Sequence, residues 1–157
     1  MFFSEDSYKF MYAALQEAEK SLENNEVPVG AVVVHNNRII GRGFNQVEML
    51  KDPTAHAEMI AVTAATNYLG NWRLTDCSIY VTLEPCIMCT GALLHSRMQN
   101  VFFSTFDSKF GACGSVYNLA GESKYNHKLT VFSGLYADES EKLLKEFFAK
   151  LRNKTTT

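Results

Sequence analysis

CSIYVTLEPCIMCTGALLHS, residues 77–96, joins two structural signals in one run. Residues 77–83 are mostly apolar or β-branched and read as a short buried strand. Pro85 follows, a residue suited to a first helical turn, and CIMCTGALLHS reads as a helix. A strand therefore feeds a helix that opens on Cys86 and Cys89. The pair alone admits three readings: a redox dithiol, half of a metal site, or two buried thiols without chemistry. A thioredoxin-like pair also follows a strand and opens a helix, so position does not decide between them.

The flanking segments complete a fold class. SYKFMYAALQEAEKSLENN, residues 7–25, repeats apolar residues at helical spacing (Phe10, Ala14, Leu15, Ala18, Leu22) and stops at an Asn pair. VPVGAVVVHNNRIIGRGFN, residues 27–45, is two β-branched runs joined by His35, Asn36 and Asn37, a hairpin signal. Thr54 is placed to cap a helix over residues 55–68. NVFFST (100–105) and LTVFSG (129–134) read as strands, and residues 107–128, rich in Gly, Ser and Asn, carry no clear element. DESEKLLKEFFAKLRNK, from Asp138, is an amphipathic helix opened by acids and closed by bases, matching the helix dipole. Strands separated by helices predict an α/β fold, a three-layer α/β/α sandwich around a five-stranded mixed sheet. The whole chain, residues 1–157, reads as one domain with a basic C-terminal helix from about residue 138.

Composition bounds the function. Hydrophobic residues make up 46% and charged residues 20% of the 157, as in an ordinary globular protein. The start, MFFSEDSYKF, lacks the basic and long apolar parts of a signal peptide, and apolar runs fall short of a membrane span, so a cytoplasmic protein is expected. In a reducing compartment a close cysteine pair points to metal or catalysis over a structural disulfide. Net charge is −2, yet residues 97–157 carry 9 basic and 6 acidic side chains, whereas residues 1–60 carry 5 and 9. Such a basic run is ordinarily the solvated face of a terminal helix.

DPTAHAEM, residues 52–59, supplies what the cysteine pair lacks. His56, Cys86 and Cys89 make three ligands, and zinc takes four, which leaves one position for water as in catalytic sites. Cys86 and Cys89 share a face of a first helical turn, whose N-terminus favours thiolates. Glu58 beside such a water can take its proton and pass it on. His56 and Glu58 are two apart and would not share a face of an ideal helix, so they must converge through first-turn irregularity. Cys77 and Cys113 have no such company and read as plain thiols; His35 reads as a solvated turn residue and His95 as a helix-end residue. Phe102, Phe103, Phe147 and Phe148 read as core.

His-x-Glu followed by Pro-Cys-x-x-Cys is the signature of the zinc nucleoside and nucleobase deaminases. Beyond it, EVPVGAVVVHNN, GFN, DPTAHAEM, NWRLTDCSIYVTLEPCIMCTGALLHSR, DSKFGACGS and YNHKLTV occur in order over roughly residues 26–152. On these segments the chain resembles the bacterial-type tRNA adenosine deaminases, which convert the wobble adenosine of an anticodon to inosine. The resemblance implies a cytidine-deaminase-like fold, a homodimer, one zinc ion per subunit on His56, Cys86 and Cys89, and Glu58 as the proton shuttle. The reaction it implies is hydrolytic, with a zinc-activated water attacking C6 of adenine and ammonia leaving. It further implies substrate contacts from Asn45, Asp107, Lys109, Asn126, His127, Lys150 and Arg152, with a tRNA anticodon stem-loop as the partner. A locally basic surface and splayed loop bases reconcile RNA binding with a small negative net charge.

Three residues depart from the family pattern. Ser104 stands where glycine is usual, and Phe106 and Phe110 replace smaller or more polar residues; those rings either stack on a base or pack in the core. Two rival functions stay on the page. A free nucleobase or nucleoside deaminase would share the four zinc-site residues but would not need DSKFGACGS or the basic helix. A non-catalytic zinc-containing RNA-binding module would have no use for Glu58.

Overall fold

The structure, a computed structural model, describes residues 2–155. Its elements are α1 (Glu5–Glu23), β1 (Gly30–His35), β2 (Arg38–Phe44), α2 (Val47–Leu50), α3 (Ala57–Leu69), β3 (Cys77–Leu83), α4 (Ile87–His95), β4 (Asn100–Thr105), β5 (Thr130–Ser133) and α5 (Ala137–Thr155). The sheet order is β2-β1-β3-β4-β5, with β1 antiparallel to both neighbours and β3, β4 and β5 mutually parallel. This is the mixed five-stranded sheet expected from the sequence.

Side-chain alternation along β1 divides the core in two. Ala31 and Val33 join Ala57, Ala61 and Ala65 of α3 and Leu93 of α4 on one face. Val32 and Val34 join Phe10, Met11 and Ala14 of α1 on the other, which α5 also covers. Tyr80, Phe102 and Phe132 stack across β3, β4 and β5, with ring centroids 4.3 and 4.6 Å apart. Helix α3 lies unusually close to the hairpin: a Cβ on Gly43 would sit 2.3 Å from the Ala57 carbonyl oxygen. Glycine is therefore required where the start of α3 presses on the sheet, and that contact sets the position of His56.

Local chemistry shifts several boundaries. The hairpin turns on Asn36 and Asn37 alone, at φ 49° and 61°, a geometry that asparagine tolerates, so His35 ends β1 as a strand residue and is half-buried. Helix α1 starts earlier than its apolar period suggests, because the Ser4 hydroxyl caps the Ser7 N–H. Thr54 does not cap α3: both its N–H and its hydroxyl donate to Asp52 Oδ1, and His56 takes the N-cap position. Pro85 precedes the cap of α4 and is not within its first turn. The short helix α2 is an addition, its Glu48 and Met49 N–H groups held by the buried carboxylate of Glu26. Phe103 is fully buried, but Phe148 is 42% exposed, because the second half of α5 runs beyond the sheet; its core assignment does not hold. Among the described residues no helix is long and apolar enough to cross a membrane.

Candidate metal centre and its surroundings

Two helix starts meet at one point. His56 is the N-cap of α3 and Cys86 the N-cap of α4, both with extended backbone (φ −74°, ψ 153° and φ −75°, ψ 177°). Cys89 lies one turn into α4. His56 Nδ1 is 3.6 Å from Cys86 Sγ and 3.6 Å from Cys89 Sγ. A tetrahedral zinc ion with its usual N and S bond lengths sets an N···S separation of about 3.6 Å. The three donors therefore already stand at the spacing the ion requires, and their chemistry, one imidazole and two thiols, is zinc's own. Because His56 lies outside the helix and Glu58 inside its first turn, the two-residue spacing no longer separates them, which resolves the difficulty seen in the sequence.

The electrostatics suit a cation. Hydrogen bonding from Cys89 holds the Cys86 thiol down at about 4, with His56 and the backbone N–H of Cys89 adding to the effect. Cys89 is raised, first by that same hydrogen bond and then by burial. The hydrogen bond with Cys86 also raises His56, against the opposing effect of burial. Burial pushes the Glu58 carboxyl up to about 7, with His56 pulling it down, and Glu58 lies within hydrogen-bonding reach of Cys89. The other two thiols lie apart in role. Burial pushes Cys77 up to about 11 and Cys113 to about 12, as expected of inert thiols. All four cysteines are free.

Asn45 is held beside the metal centre. The next residue, Gln46, donates its N–H to the Ala55 carbonyl (3.0 Å), one residue from His56. Its own Nδ2 donates to the Val27 carbonyl (3.3 Å), while its buried Oδ1 has no hydrogen-bond partner. An unpaired buried acceptor costs free energy unless a ligand satisfies it.

Glu84 is the residue that the sequence reading missed. It is 2% exposed, and its carboxylate gathers the following loop. Oε1 accepts from the Asp107 N–H (3.0 Å) and Oε2 from the N–H groups of Cys113 (2.9 Å) and Ser115 (3.1 Å); the Ser115 hydroxyl also donates to Oε1. Gly111 forms an isolated bridge with Cys86, and Ala112 N–H donates to the Pro85 carbonyl (2.9 Å). A carboxylate two residues before a metal ligand thus pins the 107–115 loop beside that ligand. The only sequence signal for it was a lone acid in an otherwise apolar strand end.

The remaining predicted residues spread outward. Asp107 Oδ1 accepts from the N–H groups of Lys109 (3.0 Å) and Phe110 (3.2 Å), which fixes the loop tip. Lys109 lines an open groove of about 350 Å³ with Leu144, Lys145, Phe148 and Arg152 of α5. Lys150 is exposed on the same helix. Asn126 is exposed, and His127 donates from Nε2 to the Met98 carbonyl (2.6 Å), which leaves Nδ1 for another partner. The structure therefore gathers His56, Glu58, Cys86 and Cys89 in one centre and Lys109 with Arg152 in one groove. Asn126 and His127 lie on a separate stretch of the long β4–β5 connection.

The pattern of the cytidine and deoxycytidylate deaminase zinc-binding region matches residues 4–105. A tRNA-specific adenosine deaminase of Aquifex aeolicus (strain VF5) is 48% identical over 144 residues, spanning 92% of this chain and 95% of that protein. A solved structure from work on A-to-I editing by tRNA A34 deaminases at the wobble position superposes with a TM-score of 0.84 at 40% identity, over 87% of this chain and 99% of that one. Guanine deaminase from Bacillus subtilis is also similar, at a TM-score of 0.61 and 36% identity, but over 66% of each chain. The tRNA-specific enzyme is thus the more similar in sequence, at 48% identity against 36% for the guanine enzyme.

Proposed function

We infer the activity from one premise: the chain belongs to the zinc-binding cytidine and deoxycytidylate deaminase family and, within it, to the tRNA-specific adenosine deaminases. It is a zinc-dependent hydrolase that converts the wobble adenosine of a tRNA anticodon loop to inosine. The observation that carries this reading is the similarity along nearly the whole chain, joined to three metal donors at zinc spacing with a buried carboxyl beside them. A free-base deaminase and a non-catalytic binding module are both disfavoured, the first by the higher identity to the tRNA-specific enzymes, 48% over 92% of the chain, the second by Glu58.

His56, Cys86 and Cys89 would hold the metal. When bound, zinc supplies a Lewis acid that makes a water acidic enough to lose a proton near neutral pH. Glu58 takes a proton from the attacking water and delivers it to the adenine ring nitrogen. The water oxygen bonds to C6, the C6–N6 bond breaks, and a second proton leaves with the amine as ammonia. Burial serves this role, because a carboxyl raised toward neutrality both accepts and returns a proton. Asn45 offers its unpaired Oδ1 to a donor on the bound nucleotide. The loop carrying Asp107 and Lys109, the Asn126–His127 stretch, and Lys150 and Arg152 on α5 contact the stem-loop, the basic side chains facing its phosphates.

The chain acts as one domain over residues 1–157, as a cytoplasmic homodimer. The apolar side chains left open on α5, Phe148 and Leu151, fit a larger assembly. The deciding experiment incubates zinc-loaded protein with an arginine-type anticodon stem-loop bearing a wobble adenosine, and in parallel with guanine, cytosine, adenosine and cytidine. Inosine in the stem-loop alone is the expected result. Turnover of a free base with an inert stem-loop would overturn the RNA assignment and leave the zinc chemistry standing.

A further inference from the structure

Phe106 and Phe110 flank the tip of the pinned loop. The core alternative for these rings does not hold: they are 57% and 69% exposed. Phe106 meets the core edge-on, through Phe103 (centroids 5.1 Å, 81°). Exposed single aromatics are commonplace on protein surfaces. Here, however, two stand four residues apart on a loop with little freedom. Asp107 Oδ1 holds the Lys109 and Phe110 N–H groups, Glu84 holds the loop from both sides, and the residue after Phe110 bridges to the metal ligand Cys86. Between them in the chain lies Lys109, which lines the groove that Lys145 and Arg152 also line.

We propose that Phe106 and Phe110 form a stacking platform for unpaired bases that flank the target adenosine. The proposal rests on the RNA activity above and adds to it the residues that grip the neighbouring nucleotides. Aromatic rings interleaved with cations are what a single strand requires, faces for its bases and charge for its phosphates. A rigid mount matters as much as the rings, since ordering a floppy loop on binding would consume the stacking free energy. The mount here is completed before RNA arrives, by the buried carboxylate of Glu84.

The test uses full-length zinc-loaded protein with the Glu58→Gln change to block turnover. Its ligand is an anticodon stem-loop carrying 2-aminopurine at one position beside the wobble nucleotide, each side in turn. Phe110→Leu and Phe106→Leu keep apolar bulk but remove the ring; Phe110→Tyr and Phe106→Tyr keep it. The expected result is stem-loop affinity weakened roughly 5- to 100-fold per leucine change, with loss of 2-aminopurine quenching, and near-parental behaviour for tyrosine. Phe110 is 69% exposed and has no aromatic ring partner among the described residues, so its variants test the idea even if Phe106→Leu loosens the fold. Unchanged affinity and quenching in both leucine variants would overturn it. So would a shift from dimer to monomer with stem-loop binding intact, which would make a second copy the occupant of the rings. Failure of the parent protein to deaminate the stem-loop would instead sink the activity reading and the platform with it.

Discussion

The metal centre and the RNA-side loop lie one bridge apart, at Cys86 and Gly111, yet they are built in opposite ways. The centre stands on regular elements: two helix caps and the first turns behind them place all four of its side chains, and the start of α3 is fixed by close packing on the sheet. The loop from Asp107 to Ser115 has no regular element of its own and is held by the buried carboxylate of Glu84, the Asp107 side chain and two backbone ties to Pro85 and Cys86. Its binding groups are exposed, where the chemistry of the centre is buried. On the function proposed above, the difference separates two kinds of specificity: reaction type belongs to a stiff, local frame, and substrate choice to a surface tied to that frame at a few points.

The largest expected effect breaks the centre alone. Glu58→Gln should lower kcat on the stem-loop by about 10²–10⁴-fold while zinc content and stem-loop affinity persist, measured by metal analysis and binding. Loss of zinc in that variant would make Glu58 a structural part of the site and erase its separation from the ligands.

Removing the metal sharpens the same side. Glu58 has a folded value of about 7 against an ordinary 4.5, so the folded state holds its proton more tightly than the unfolded chain. The stabilisation is full below about pH 4.5 and is lost as pH rises to about 7, roughly 3 kcal/mol across the window. Urea midpoints in chelator should therefore converge differently for the parent and Glu58→Gln. The parent should lose stability relative to the variant as pH rises from 5 to 7, with no further relative change above about 7.5. A flat difference across that range would mean that water reaches the carboxyl.

Gly111→Ala breaks the tie between the regions. The new Cβ would lie 2.3 Å from the Glu84 carboxyl carbon, which its four donors prevent from yielding. A cost of about 1–3 kcal/mol in thermal stability is expected. With it should come a raised KM for the stem-loop at unchanged zinc content. Equal losses of zinc and of RNA binding would show the two regions to be one unit. The smallest effect belongs to Ser104, whose buried hydroxyl has no partner. Ser104→Ala removes an unsatisfied group and should raise stability by up to about 1 kcal/mol in denaturant melts, with activity intact.

Much of this architecture was legible beforehand, for identifiable reasons. The hairpin, β3, β4, β5 and the long helices follow from the period of apolar residues, and all five strands form one mixed sheet. The metal donors were legible because a histidine and two spaced cysteines, with a glutamate two residues after the histidine, have few other joint explanations. Thr54 was misread because a nearby side chain engaged it first: its N–H and hydroxyl both donate to Asp52 Oδ1, and the helix is capped two residues later, at His56. Phe148 was misread because amphipathic spacing shows which face is apolar and not whether anything covers it. Glu84 was invisible because its partners lie at positions 107, 113 and 115, beyond any local pattern.

By itself, then, the sequence determined the kinds of element and the three residues that could hold zinc, since backbone propensity and ligand chemistry are local properties. Only the tertiary structure decided that His56 sits outside its helix and so meets Glu58. The same holds for the exposure of Phe106 and Phe110 and for the carboxylate that fixes the RNA-side loop. Those outcomes depend on which distant backbone N–H groups, ring faces and helix ends come within a few ångströms of each other, and that is settled by packing across the sheet.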